Sequence, residues 1–295
     1  MSELKLPAVV KTRAELITTL ENQRDAHPRQ LIGLVMTMGA LHAGHLSLVE
    51  EARKHSDYIV VSIFVNPTQF APNEDFDAYP RQLEKDLELL ATVGTDLVFA
   101  PTPEEIYPNG ESRVTINPGP TATVLEGKTR PTHFAGVCQV VHKVINLVSP
   151  NVAVFGQKDA QQLAIIRQMV SDLDMSVTIV GAPIVRAEDG LALSSRNAYL
   201  SPVQRETALS LSASLRAGVS IATQGGTRAE ILAAAETVIS EASATADSQA
   251  TLVLDYIALV DPVTFEDVDH GPAVLAIAAK VGTTRLIDNY LVEVK

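Results

Sequence analysis

Five short and almost wholly apolar runs, Leu31–Met36, Tyr58–Val65, Asp96–Ala100, Val152–Phe155 and Val177–Val180, punctuate the chain as far as Val180. A strand that is apolar at nearly every position has no face to give to water, so it belongs inside a sheet covered on both sides. Between the runs lie His45–His55, Arg81–Val93, Gly136–Val148 and Asp159–Leu173, which carry apolar residues at helical spacing. Strand and helix in alternation predict an α/β layer, a Rossmann-like parallel sheet whose ligand sits beyond the carboxyl ends of the strands.

After Arg186 the pattern changes. Alanine-rich Gln204–Ala222 and Arg228–Ser240 read as helices separated by the Gly225-Gly226-Thr227 break, and Ser243–Gln249 reads as a loop. Leu252–Val260, Ala273–Val281 and Arg285–Val294 follow as strands, with turn signals at Asp261-Pro262 and Gly282. The expected organisation is a first domain over 1–186 and a smaller α+β C-terminal domain over 187–295, joined near Ala187–Gly190. A chain of 295 residues accommodates both.

A formal net charge of −12 argues against broad nucleic-acid binding, which needs a basic surface. It also means that a cleft for small anions must reverse the field locally, which draws attention to Lys158, Arg196 and Arg130. No apolar stretch is long enough to span a bilayer, and the opening MSELKLPAVVKTRAEL is too polar for a secretion signal, so a soluble, cytoplasmic protein is expected. The single cysteine, Cys138, has no partner for an internal disulfide and reads as a small core residue.

Three separated clusters carry the chemistry. The first, Met38-Gly39-Ala40-Leu41-His42-Ala43-Gly44-His45, follows a strand and opens a helix. Glycine lets backbone N–H groups approach a ligand, the helix start adds partial positive charge, and histidine bonds to a phosphoryl oxygen or carries a proton. An ordinary strand-to-helix turn with solvated histidines is the alternative. The second, Gly156-Gln157-Lys158-Asp159, also joins a strand to a helix; Lys158 is a phosphate-binding point charge and Asp159 can cap the helix or bond to ribose. The third, Leu193-Ser194-Ser195-Arg196-Asn197, preceded by Asp189-Gly190, suits a mobile clamp on triphosphate oxygens or, equally, a linker between domains. Gln69, in Asn66-Pro67-Thr68-Gln69-Phe70, and Gln162 can hold a hydroxyl or carboxylate, or simply satisfy nearby backbone groups.

Two competing patterns fail on context. Ala122 followed by Gly127-Lys128-Thr129 satisfies a relaxed Walker A pattern, but Asn117-Pro118-Gly119-Pro120 precedes it where a strand belongs, and Arg130-Pro131 follows it. A zinc site on His42 and His45 lacks a third ligand, so no protein-ligated metal is expected. Of the other histidines, His27, His55 and His270 read as surface residues, His133 as a loop residue beside Arg130, and His142 as packed helix.

The combination of TMGALHAGH, SIFVNPTQF, DFDAYPR, RPTHFAGV, FGQKDAQQL, DGLALSSRNAYL and GTTRLIDN, spread over nearly the whole chain, resembles the pantothenate synthetase (pantoate–beta-alanine ligase) family. Its wider relatives are the HIGH-type nucleotidyltransferases and class I aminoacyl-tRNA synthetases. The resemblance implies ATP-dependent joining of (R)-pantoate to beta-alanine through a pantoyl adenylate, with Mg2+ carried mainly by phosphates, and a homodimer. It implies ATP contacts at Met38, Gly39, Ala40, Leu41, His42, Ala43, Gly44 and His45, at Gly156, Gln157, Lys158 and Asp159, at Val185, and at Leu193, Ser194, Ser195 and Arg196. Gln69 and Gln162 would hold pantoate, His45 would be the catalytic histidine, and His42, Lys158 and Arg196 would stabilise charge. Ala43, Gln157, Ala160 and Leu193 depart from the family's common residues, and Lys85 interrupts the acidic cluster common around Glu84–Asp86. The Tyr58–Val65 strand and its Pro67–Phe70 extension are candidate interface elements, though burial inside the sheet explains most of their apolarity. Two rival functions remain at this level: a nucleotidyltransferase moving AMP or CMP onto a phosphorylated acceptor, and a nucleotide sensor without turnover.

Overall fold

The computed structural model describes residues 5–70, 76–77 and 79–295. Asp75 and Ala78 of the DFDAYPR motif, and the first four residues of the opening stretch, lie outside the described residues. The chain divides into two compact units, one running up to Gly156 and including Ile165–Ala182, the other made of Gln157–Ala164 and Pro183–Lys295.

The first unit is built on β1 (Ala8–Val10), β2 (Ile32–Thr37), β3 (Tyr58–Ile63), β4 (Leu97–Phe99), β5 (Val152–Gly156) and β6 (Thr178–Ala182). All pair in parallel, in the order β1-β4-β3-β2-β5-β6. The strand order turns around β2: later strands run outward through β3 and β4 on one side and through β5 and β6 on the other. Such a reversal opens a crevice at the carboxyl ends of the central strands. Leu34 pairs with Val60 of β3 and with Ala153 of β5, so β2 lies at the middle of the sheet. Val35, Val61, Val98 and Val154 form the core on one face with Leu48 and Leu90. Ile59, Val60 and Val61 are fully buried, so the apolar character of β3 is accounted for by the sheet interior.

Helices α1 (Arg13–Ala26), α2 (Ala43–Arg53), α3 (Leu83–Thr92), α4 (Pro103–Ile106), α5 (Leu125–Thr129), α6 (His133–Val148) and α7 (Ala160–Asp172) connect these strands. Neither β1 nor α1 stands out by apolar pattern, yet α1 carries a local start signal. Thr12 Oγ1 accepts from Glu15 N, and the Glu15 carboxylate accepts from Thr12 N and Lys11 N, a reciprocal cap that sets the helix start. Helix α6 stops where Ser149 turns left-handed, at φ 45°, ahead of Pro150.

The second unit holds α8 (Pro202–Thr223) and α9 (Arg228–Thr245) with an antiparallel sheet of β7 (Leu252–Val260), β8 (Gly271–Val281) and β9 (Thr284–Val294) in the order β7-β8-β9. Leu211, Leu215 and Ile231 of the helices pack with Leu275, Ile277 and Leu286 of the sheet. Both helices start at reciprocal caps, Ser201 with Gln204 and Thr227 with Glu230. Helix α9 continues through Ser243 to Thr245, which the sequence reads as loop. The hydroxyls there are absorbed without breaking the helix: Thr245 Oγ1 donates to the Glu241 carbonyl and Ser243 Oγ to the Leu252 carbonyl.

Candidate active site

In the first unit the histidine segment forms a strained turn from the end of β2 into α2. Gly39 and Ala40 both take positive φ, 84° and 51°, and Gly39 N donates to Thr37 Oγ1 at 3.3 Å. Asp86, on α3, holds this shape: its two carboxylate oxygens accept from Ala40 N at 3.1 Å and Leu41 N at 2.9 Å. The residue is 1 % exposed, whereas Glu84 and Lys85 beside it are exposed. Asp86 is therefore the member of the interrupted acidic cluster that matters to the turn, and its place in the sequence gives no hint of it.

His42 caps α2 with its ring. Gly44 N donates to His42 Nδ1 at 3.1 Å, and His42 N donates to His45 Nδ1 at 3.4 Å, with the ring centroids 4.1 Å apart. A nitrogen that accepts a backbone N–H carries no proton, so each neutral imidazole has its proton on Nε2. The capping side chain and the N-terminal dipole of α2 thus belong to the same short segment.

Gln69 lies at the end of the 3-10 turn Pro67–Gln69. Asn66, buried beneath it, orders its amide: Asn66 Oδ1 accepts from Tyr107 Oη at 2.8 Å and Thr68 Oγ1 at 3.0 Å, which turns Asn66 Nδ2 toward Gln69 Oε1 at 3.2 Å and the Gly136 carbonyl at 3.2 Å. Gln69 is left with Nε2 as its outward donor, 3.1 Å from Met38 Sδ. A thioether is a weak acceptor, so this N–H group has capacity for a carboxylate or hydroxyl oxygen. Burial pushes the Tyr107 hydroxyl above its ordinary pKa and keeps it a donor. The Gln69 carbonyl is held by Arg130 Nη2 at 3.3 Å and faces His133 Nδ1 at 3.0 Å; His133 opens α6 and is not in a loop as the sequence suggests. A Cβ at Gly136 would collide with the Thr68 carbonyl, so the glycine of RPTHFAGV is what lets α6 approach this turn. Beside the histidine turn, a cavity of about 200 Å³ is lined by Met38, Gly39, Ile63, Phe76, Arg81 and Asp86 among others.

The second unit holds the third cluster and, of the second cluster, all but Gly156, which ends β5 in the first unit. Gln157–Asp159 form a 3-10 turn leading into α7; Lys158 is partly buried, and among the described residues no hydrogen bond or ion pair engages its Nζ. Asn289 Nδ2 donates to the carbonyls of Gln157 at 3.0 Å and Lys158 at 2.9 Å. Gln162 is partly buried. Val185 accepts from Leu193 N at 3.0 Å, and Ala187–Leu191 close a hydrogen-bonded turn with Gly190 at φ 92°, so the expected join at Ala187–Gly190 is an ordered hairpin. Ser194 Oγ accepts from Arg196 N and caps the 3-10 helix Ser195–Tyr199. Arg186 anchors the hairpin by a two-pronged pair with Asp288, 2.6 and 2.9 Å. Burial opposes the Arg186 charge, and the Asp288 carboxylate outweighs it, holding the guanidinium above its ordinary pKa.

Other sequence candidates fall elsewhere. Ala122 sits in the 3-10 turn Pro120–Thr123, and Gly127-Lys128-Thr129 end a five-residue helix. A Cβ on Gly127 would strike the Ala122 carbonyl and Lys128 is exposed, so this glycine serves packing. His27, His55 and His270 are exposed. His142 is partly exposed, with its ring nitrogens facing Asn146 Nδ2, in place of the packed position the sequence suggests. Among the described residues no three His, Cys, Asp or Glu side chains group so as to hold a metal ion. Sequence reasoning gave no role to Asp86, Asn66, Tyr107, Arg186, Asp288 or Asn289. For Asn66, Asp288 and Asn289 the one trace was a polar residue closing an apolar run in SIFVNPTQF and GTTRLIDN, which does not tell a buried side chain from a solvated one; Asp86, Tyr107 and Arg186 lie outside both motifs.

A family model described as pantoate-beta-alanine ligase matches residues 8–291. Pantothenate synthetase from Thermobifida fusca (strain YX) is 52% identical over 293 residues, covering 97% of this chain and 95% of the relative. The crystal structure of pantothenate synthetase from Thermus thermophilus superposes with a TM-score of 0.86 at 46% identity, over 96% of this chain and 98% of that one. A pantoate-beta-alanine ligase from Francisella tularensis, complexed with beta-gamma ATP and beta-alanine, gives a TM-score of 0.79 at 34% identity, over 97% of both chains. Family match, near-full-length identity and shared architecture agree: the chain belongs to the pantoate-beta-alanine ligase family.

Proposed function

We infer that this chain joins (R)-pantoate to beta-alanine with consumption of ATP, yielding pantothenate, AMP and pyrophosphate, and that it does so through a pantoyl adenylate. The observation that carries the reading is the imidazole-capped turn at the end of β2, where two histidines and a helix N-terminus share one short segment whose shape Asp86 holds. That combination suits the stabilisation of charge on a phosphoryl group and its leaving oxygen.

In the first half-reaction a pantoate carboxylate oxygen bonds to the α-phosphorus as the bond to the bridging oxygen of pyrophosphate breaks. The nucleophile belongs to the substrate, so alignment and charge stabilisation are the protein's work. His42 and His45 in the first unit, and Lys158, Ser194, Ser195 and Arg196 in the second, are assigned to the phosphates. Met38–Leu41, Ala43, Gly44, Gly156, Gln157, Asp159, Val185 and Leu193 are assigned to the rest of ATP. Gln69, through Nε2, and Gln162 are assigned to pantoate. In the second half-reaction the beta-alanine amine bonds to the acyl carbon, AMP departs with the bond electrons, and the amine loses a proton.

Mg2+ carried by the triphosphate fits this residue set, because Asp86 commits both oxygens to backbone N–H groups and Lys158, Ser194 and Arg196 offer donors. When bound, the ion would neutralise phosphate charge and polarise the phosphoryl oxygens. Residues 1–186 are read as the ATP- and pantoate-binding domain, and 187–295 as the domain carrying the phosphate loop. Among the described residues no helix is long and apolar enough to cross a membrane, and a cytoplasmic location is inferred from the metabolic substrates. A homodimer is proposed from the family; sedimentation equilibrium giving twice the 31.6 kDa chain mass supports it, and a monomer overturns it.

The test uses pantoate labelled with 18O in its carboxylate. Label appearing in AMP, together with pantoate-dependent exchange of pyrophosphate into ATP without beta-alanine, is the expected result. Unlabelled AMP, or exchange that requires beta-alanine, rejects the adenylate.

A further inference from the structure

The polar pair Asp288-Asn289 on β9 sits deep in the second unit, 4 % and 5 % exposed. Burying an amide or a carboxylate is unfavourable unless its hydrogen bonds are met, and a buried ion pair adds little stability over a well-packed apolar pair. Where such groups are kept in a core, geometry is what they supply. Here both grip segments that carry the nucleotide-handling residues.

Asn289 Nδ2 uses both its N–H groups on consecutive carbonyls, those of Gln157 and Lys158, at 3.0 and 2.9 Å. That fixes the peptide planes on either side of the Lys158 Cα, and with them the direction in which the lysine side chain leaves the turn. Asp288 takes the Arg186 guanidinium on both oxygens, while Arg186 also donates to the carbonyls of Gly190 at 3.2 Å and Asn289 at 3.3 Å and lies over the Tyr290 ring at 4.4 Å. The Asn289 N–H closes the pair by donating to Asp288 Oδ1 at 2.8 Å. Successive side chains of a strand leave on opposite faces, so two adjacent residues reach two different segments. One is the lysine turn; the other is the hairpin from which the Ser194–Arg196 loop starts.

We propose that Asp288 and Asn289 are positioning residues for the ATP step: Asn289 sets the Lys158 turn and Asp288, through Arg186, sets the base of the serine–arginine loop. Neither touches the nucleotide. The inference rests on the assignment of Lys158 and Arg196 to the phosphates, and it adds that the aim of both is set from the C-terminal strand. A displacement of about 1 Å in such a group is enough to lower the rate by about a hundredfold.

The test replaces Asn289 by leucine, which keeps the volume and removes the amide. Steady-state pantothenate formation and ATP affinity by calorimetry are measured on the full chain, alone and combined with Lys158→Ala. The expected result is a fall of about 10- to 100-fold in kcat/KM for ATP, with KM for beta-alanine within about threefold of wild type. The double variant should match Lys158→Ala alone, because the amide acts through that lysine. Additive losses, or equal losses toward ATP and beta-alanine, mean a merely structural role and overturn the proposal. If Asn289→Leu does not fold, Asp288→Asn, which keeps shape and breaks the two-pronged pair, is expected to raise KM for ATP with KM for beta-alanine unmoved; an unchanged KM for ATP overturns it. A wild-type chain that makes no pantothenate sinks the assigned reaction instead, and the calorimetric cycle with Lys158→Ala still decides whether Asn289 acts through the lysine.

Discussion

His45 illustrates how much of a residue's role is set by its immediate neighbours. Its Nδ1 is taken by the His42 backbone N–H, which leaves Nε2 as the proton-bearing nitrogen. His45→Ala is therefore expected to lower pyrophosphate exchange by about two to four orders of magnitude, the scale for losing one positioned group. Lys128→Ala, exposed on a five-residue helix, is the control and should leave exchange near wild type. Cys138 behaves in the opposite sense. Burial alone pushes its thiol up to about 12, so it stays neutral in the fold while an unfolded chain ionises near the ordinary thiol value. Its share of stability is intact below that ordinary value and is lost as pH climbs toward about 12. Alkylation by iodoacetamide at about pH 8, just below the ordinary thiol range, should proceed only as fast as the protein unfolds, and rapid labelling of the native protein would show an exposed thiolate instead.

At the scale of elements, the junction of β2, α2 and α3 decides whether the histidine turn exists. Gly39 tolerates its left-handed φ, Ala40 does so at some strain, and the Asp86 carboxylate compensates with two N–H bonds. Asp86→Asn leaves one acceptor and sets an amide N–H against a backbone N–H. It is expected to cost about 1.5–3 kcal/mol of stability and to raise KM for ATP, read by denaturant unfolding and steady-state kinetics. Unchanged ATP kinetics in that variant would detach the turn from nucleotide binding. The central strands and the four interior helices were legible in the sequence because their apolar periodicity is imposed by burial on both faces of the sheet. Helix α1 was not, since its apolar stripe is thin, with Leu16 and Leu20 its only buried residues, and only the Thr12–Glu15 cap marks its start. The turns at the ends of β2 and β5 were legible as turns because glycine at strand ends marks a change of direction. Asp86, Asn66 and Asn289 were not, because each acts on a segment distant in sequence, and nothing local distinguishes a buried capping carboxylate or amide from a solvated one.

At the scale of the whole molecule, each compact unit holds side chains that order its own candidate site residues. The first orders the histidine turn and Gln69 from α3, Asn66 and α6; the second orders Lys158 and the serine–arginine loop from β9. On the proposed assignment of Lys158 and Arg196 to phosphates, such supports matter the more because the chain's net charge is −12 and anions must be met by locally held cations. One of them also bears on biosynthesis. The carboxylate that locks Ala40 lies 46 residues further along, so a ribosome releases the histidines long before the group that gives them their shape. Until α3 has emerged and docked, that stretch of nascent chain lacks the two bonds that hold Ala40 and Leu41 in place, so the turn is completed only after a distant segment has been made.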